Sequence, residues 1–313
     1  MQPHAEHHEI VTADLAADVA DLAARAQAAS GLTSFSDELW HAFRDGSANT
    51  VLSATNQQDT LVGVAFSAPQ GDRVGAELLV DPEHRGQGYG GSLLTNLLDD
   101  RDGELWVWSH GDHPAAATLA LQNGLERARE LYQLRRPLGP ADMEITVSPP
   151  AGVTIRTFVM GQDEHAWAAV NQAAFAWHPE QGAMTAENLR NTENEEWFDP
   201  AGFFLAEDDD GTLLGFHWTK VHPRGDDGSA VGEVYVLGVH PDAHGRGLGK
   251  VLTAAGLRYL AGLPGVQTVM LYVEGDNAPA LAIYRGQGFT DHVVDVAYRS
   301  PPPPTAGLPG PTE

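Results

Sequence analysis

Two stretches of the sequence could hold an anion through the backbone. Arg85-Gly-Gln-Gly-Tyr-Gly-Gly91 and His244-Gly-Arg-Gly-Leu-Gly-Lys250 each follow an apolar run and precede an amphipathic one. A strand that enters such a turn and leaves it as a helix aims several N–H groups at one point. There the helix dipole and the unpaired donors favour negative charge. Glycines serve because a Cβ would hold a phosphate away and because tight turns use positive φ. The chemistry indicated is a pyrophosphate seat. A Walker loop would place Ser or Thr after Gly-Lys, but Val251 follows Lys250, and the second run also lacks the G-x-G-x-x-G spacing of a dinucleotide loop.

The elements that must position these loops occur twice. LLVDPEHRGQGYGGSLL from Leu78 and LGVHPDAHGRGLGKVL from Leu237 are related at an offset of 159, which carries Pro82 to Pro241 and Gly86, Gly88 and Gly90 to Gly245, Gly247 and Gly249. In the second copy GEVYVLGV reads as a strand, VLTAAGLRYLAGL as a helix and VQTVMLYV as a buried strand. Asp276 and Asn277 suit a helix cap, Pro279 its first turn and Gly288 its exit, before a last strand through Tyr298. ELWVWSH, PAAATLALQNG and LERARELYQLRRPL follow the same order in the first copy. The expected division is a domain over 8–140, a linker over 141–152 with its boundary near Ser148, a domain over 153–300, and a disordered Pro-rich tail over 301–313. The fold class is α/β (α+β).

Composition removes several alternatives. With 18 Lys and Arg against 43 Asp and Glu, the net charge of −25 opposes nucleic acid and anionic membranes. Arg85, His244, Arg246 and Lys250 stand out against that background and could focus an anionic ligand. The absence of cysteine excludes disulfides, thiolate metal sites and a cysteine nucleophile. His178, His217, His222 and His240 have no metal-ligand spacing such as H-E-x-x-H, so no metal is expected. The first residues lack a leader and no apolar run approaches a membrane span, which predicts a soluble cytoplasmic protein. A monomer is expected.

The loops follow the pattern Q/R-x-x-G-x-G/A, and in this the chain resembles the GCN5-related N-acetyltransferases (GNAT), which seat the pyrophosphate of acetyl-CoA there. Arg85-Gly-Gln-Gly88-Tyr-Gly90 matches fully, whereas His244 stands at the Gln/Arg position of the second copy. The resemblance implies two tandem domains, each with a mixed, mostly antiparallel central sheet flanked by helices. It also implies acetyl-CoA contacts at Leu78, Leu79, Val80, Gly86, Gln87, Gly88, Tyr89, Gly90 and Gly91. The second copy would contribute Leu237, Gly238, Val239, His244, Gly245, Arg246, Gly247, Leu248, Gly249 and Lys250. VYVLGV is similar to the family's central strand, which parts from its neighbour to admit the pantetheine arm. EGDNAPALAIYRGQGF resembles the closing motif, with Asn277 near the CoA arm and Tyr284 placed to protonate the leaving thiolate.

AFAWHPEQG, LLGFHWTKVHP, GEVYVLGV and RRPL are similar to an actinobacterial tandem branch of that family. The resemblance implies acetylation of the cysteinyl amine of cysteinyl-glucosaminyl-inositol, the last step in forming mycothiol. An ammonium must lose a proton before it attacks a thioester, so a carboxylate near the amine and a weak acid near the sulfur are required. Glu233 and Tyr284 are the candidates, both also contacting the acceptor. Glu233 could instead be a surface carboxylate at a strand end, and Tyr284 could pack the core. Asp37, Glu180 and Lys220 match the branch's acceptor-binding positions, although Ser36 and Asp37 also look like the start of a helix through Phe43. Val74 falls opposite Glu233, and aligning the closing glycines puts Ala120 opposite Tyr284. The first domain is therefore expected to bind CoA or serve an architectural role. Acetylation of another small-molecule or peptide amine, and a CoA sensor without catalysis, remain alternatives.

Overall fold

The computed structural model describes residues 4–70, 73–101, 103–177, 179–222 and 229–302. His178 and the tail from residue 303 lie outside the described residues. The first copy forms β1 (Glu6–His7), α1 (Ala13–Ser30), α2 (Asp37–Asp45), β2 (Thr50–Thr55), β3 (Leu61–Gln70), β4 (Arg73–Val80), α3 (Tyr89–Asp99), β5 (Leu105–Ser109), α4 (Pro114–Gln122) and β6 (Glu126–Pro137). The chain continues through α5 (Pro140–Met143), β7 (Val153–Thr157), α6 (Glu164–Ala174), α7 (Pro179–Gly182), α8 (Ala186–Thr192), β8 (Phe203–Asp208) and β9 (Leu213–Val221). The closing elements are β10 (Ala230–Val239), α9 (Leu248–Ala261), β11 (Val266–Glu274), α10 (Ala278–Gly286) and β12 (Thr290–Arg299). Helix starts follow the caps written in the sequence. Thr12 and Ser36 accept from Leu15 N and Leu39 N, and Asn277 accepts from Ala280 N at the head of α10.

Contacts divide the chain into two compact units. One comprises residues up to Leu131 with those from Val293 onward, the other Tyr132–His292. The repeat alone would cut the chain into contiguous copies, but each sheet takes its last segment from the other copy. The reason lies in side-chain burial: Tyr132 and Leu134 at the end of β6 pack with Val269, Leu271 and Phe289, while Val296 and Tyr298 pack with Leu105 and Val107. Residues 139–152 also pack more than their composition suggests. Asp142 is buried, pairs with Arg136 and caps α5 through Gly139 N, and Ile145 rests on the same core.

The first unit's sheet runs β1-β2-β3-β4-β5-β12, and the second's runs β6-β11-β10-β9-β8-β7. The hairpin pairs are antiparallel, while β4 with β5 and β10 with β11 are parallel because a helix crosses over between them. Both faces of each sheet are covered. In the first unit Leu93, Leu94 and Leu97 of α3 fill one face, and Val19, Leu22, Leu39 and Phe43 of α1 and α2 fill the other. In the second, Leu252, Leu257 and Leu260 of α9 cover one face, and Trp167 and Val170 of α6 with Leu189 of α8 cover the other. Gly256 lets α9 approach so closely that a Cβ there would lie 2.1 Å from the His217 ring. His217 is fully buried and burial pushes its pKa down to about 4, so it is neutral and donates from Nδ1 to Leu252 O at 2.7 Å.

Candidate active site

In each unit the parallel strand pair opens beside the glycine loop. The β10–β11 ladder ends at Val234↔Leu271 although β10 continues to Val239 and β11 to Glu274. Likewise the β4–β5 ladder ends at Glu77↔Trp108 while β4 continues to Val80. Past these points, those N–H groups of β10 and β4 that point across the gap have no ladder partner. Such a gap can admit an extended chain and bond to it through the strand backbone.

The loops have matching construction. Gly88 and Gly247 cap α3 and α9 at φ 92° and 78°, with no side-chain cap, so the first-turn N–H groups remain available. At Gly86, Gly245 and Gly247 a Cβ would meet nothing within 4 Å, so the outer side of the turn is open. The φ values, rather than crowding, select glycine there. A Cβ at Gly90 would instead crowd Leu119 of α4 at 3.3 Å, whereas one at Gly249 would meet Ile283 of α10 at an ordinary contact distance of 3.6 Å. Arg85 Nε donates to Val80 O at 3.3 Å, and His244 Nε2 donates to Val239 O at 3.1 Å. The two side chains thus make the same bond from loop to strand end, which explains how His244 can stand where the pattern has Gln or Arg.

Four polar groups converge on the α6-facing side of β9 and β10. Glu233 is the fourth residue of β10, and its side chain is only 8% exposed, so it is an interior carboxylate rather than one at a strand end. His222 Nε2 lies 2.7 Å from Glu233 Oε2, within hydrogen-bond distance. A register shift between Val234 and Val236 leaves Tyr235 outside the ladder with β9 and turns it toward the aromatic cluster of Trp197 and Trp218. Burial and then the charge of Glu233 push the Tyr235 hydroxyl up. Lys220 is the cross-strand partner of Glu233, yet its Nζ sits 4.4 Å over the Trp197 ring and 5.1 Å over Tyr235. It is an ammonium on an aromatic platform and not a fully solvated end group.

Tyr284 lies on α10, in the core cluster that holds Val234, Leu237 and Leu271 at the strand opening. Burial pushes its pKa up to about 12, and its hydroxyl bonds to none of the described residues. A phenol so placed is protonated at neutral pH and can present its O–H to a departing thiolate. The side-chain oxygen of Asn277 is engaged in capping α10, which leaves its amide nitrogen for a ligand. Asp37 is the exposed first residue of α2 in the first unit. Glu180 lies on α7, and its side chain is outside the described residues. A depression of about 580 Å³ lined by His165, Gln172, Met184, Glu187 and Arg190 contains none of these groups.

One polar cluster had no sequence signal beyond its residue types. Glu77 of β4 is buried at the opening of the first unit and accepts from Ser36 N with both oxygens at 3.1 Å. His110 Nε2 lies 2.9 Å from Glu77 Oε1, and Nδ1 lies 3.6 Å from Asp295 Oδ2. Burial alone would lower the pKa of this histidine, but the bonds to Asp295 and Glu77 and their charges outweigh it and raise it to about 10. Asp295 is contributed by β12, 184 positions from the Gly111 N–H that it also accepts, so no local pattern could reveal the cluster.

Comparison with known proteins agrees with this geometry. The model of the Acetyltransferase (GNAT) family matches residues 16–134 and 167–289. The chain is 47% identical over 285 residues to the mycothiol acetyltransferase of Kocuria rhizophila, covering 89% of this chain and 94% of the relative. It is 56% identical over 226 residues to that of Geodermatophilus obscurus, covering 72% and 73%. Among solved structures, a GCN5-related N-acetyltransferase from Sphaerobacter thermophilus superposes with TM-score 0.68 at 23% identity, covering 95% of both chains. A tandem GNAT protein from the clavulanic acid biosynthesis pathway gives 0.65 at 19%, covering 96% and 98%. The two opened strand pairs, their glycine loops and these matches lead to one conclusion: the chain belongs to the GNAT family of acetyltransferases and carries the family's domain twice.

Proposed function

We propose that the chain transfers acetyl from acetyl-CoA to the cysteinyl amine of cysteinyl-glucosaminyl-inositol, giving mycothiol and CoA, with the chemistry in the second unit. The buried Glu233 beside the opening of β10 and β11 is the observation that carries this reading. The identity to mycothiol acetyltransferases supports the choice of acceptor. In this reading the open face of Gly245–Lys250 receives the pyrophosphate, Leu237, Gly238 and Val239 line the pantetheine arm, and an unpaired N–H of β10 polarises the thioester carbonyl. Glu233 takes the proton of the amine, and Tyr284 gives its own to the departing thiolate. Lys220 and Glu180 contact the hydroxyl-rich acceptor.

The first unit keeps the loop at Gly86–Gly91 but has Val74 and Ala120 opposite the two working groups, so it is assigned a CoA-binding or architectural role. The chain acts as a monomer in the cytoplasm, where acetyl-CoA is found, and uses no metal. Among the described residues no helix is long and apolar enough to cross a membrane. The test is CoA release from acetyl-CoA in the presence of the acceptor, by the native chain and by Glu233→Gln and Tyr284→Phe. An active native chain with both variants impaired supports the reading. Unchanged variants refute the assignment of the site.

A further inference from the structure

Acylating an ammonium releases a proton as well as a thiol. Two N–H bonds and the C–S bond break, a C–N and an S–H bond form, and one proton is left over for solvent. Glu233 is poorly placed to pass that proton on directly, because its side chain is only 8% exposed. His222 supplies a route: Nε2 lies 2.7 Å from Glu233 Oε2, and its side chain is 32% exposed. An imidazole can take a proton on one ring nitrogen and release one from the other.

The other groups facing Glu233 do not offer this path. Lys220, opposite on β9, is held over the Trp197 and Tyr235 rings and makes no ion pair with Glu233 among the described residues. Tyr235, the neighbour along β10, has its hydroxyl pushed up by burial and by the charge of Glu233, so it retains its own proton. No metal-binding group of His, Asp and Glu forms among the described residues that would otherwise account for the contact of His222 with a carboxylate.

We infer that His222 conducts the amine proton from Glu233 to solvent, so that the base of the reaction is a Glu233–His222 pair. This rests on the assignment of Glu233 made above. His222 acts through Glu233 and is a positioning and relay residue.

The experiment measures CoA release with acetyl-CoA and cysteinyl-glucosaminyl-inositol at fixed pH and ionic strength in weak buffer, with imidazole titrated in. His222→Gln should lower kcat about tenfold to hundredfold and leave the KM for acetyl-CoA unchanged. Its rate should climb with imidazole concentration, to which the native chain is indifferent. A purely structural role would show no such dependence. If His222→Gln does not fold, His222→Asn takes its place. The relay is overturned if the variant keeps the native rate, or is slow and insensitive to imidazole, while Glu233→Gln is impaired. A Glu233→Gln chain as fast as the native one overturns the base assignment and the relay together.

Discussion

Replacing His110 by Gln removes the cation between two carboxylates and should destabilise the first unit in a pH-dependent way. A rise of the His110 pKa from 6.5 to about 10 in the folded chain corresponds to on the order of 5 kcal/mol of preferential stabilisation of the imidazolium. Part of this is recovered in the variant, because Glu77 keeps both bonds from Ser36 N. A net loss of about 3 kcal/mol is therefore expected, in the range for a broken buried ion pair. Because the folded pKa is raised, the contribution is fully present below about pH 6.5 and is lost as pH rises through about 10. Urea unfolding of both chains, followed by far-ultraviolet circular dichroism from pH 6.5 to 9, should show the gap between them closing by about 1.4 kcal/mol per pH unit until it vanishes at about pH 9. A gap below about 1 kcal/mol at pH 6.5 would refute the reasoning, as would one that widens with pH.

Three further outcomes follow from the geometry. Glu233→Gln should lower kcat by about 10²- to 10⁴-fold with little change in the KM for acetyl-CoA, and Tyr284→Phe should act on kcat in the same direction; steady-state kinetics in both substrates checks this. Gly247→Ala, at φ 78°, places a Cβ in a left-handed turn at a cost of about 1–2 kcal/mol, and should weaken CoA binding in calorimetry while leaving the thermal midpoint of the first unit unchanged. Gly256→Ala puts a Cβ 2.1 Å from the buried His217 ring and should cost about 1–3 kcal/mol of stability, read by urea unfolding.

The parts of the fold with local signals were legible in the sequence. The caps at Ser36 and Asn277, the positive-φ turn at Gly288 and the apolar run of β11 placed their elements correctly. The glycine loops were legible because N–H donation to a phosphate depends on backbone and spacing. The joining of β6 to the second sheet and of β12 to the first was hidden, since it depends on which core best buries Leu134 and Val296. In the proposed site, Glu233 and Tyr284 were singled out by motif position, and the structure adds that Glu233 is buried and lies within hydrogen-bond distance of His222. The seat of Lys220 on Trp197, 23 positions earlier, and the Glu77–His110–Asp295 cluster required tertiary pairing to appear.

The most direct test of the account is single-turnover acetyl transfer by the purified chain, with acetyl-CoA and cysteinyl-glucosaminyl-inositol mixed and both CoA and the N-acetylated product quantified. The account predicts equal amounts of the two products from the native chain and a strongly slowed reaction in Glu233→Gln. Absence of product from a folded native chain that binds acetyl-CoA would contradict it.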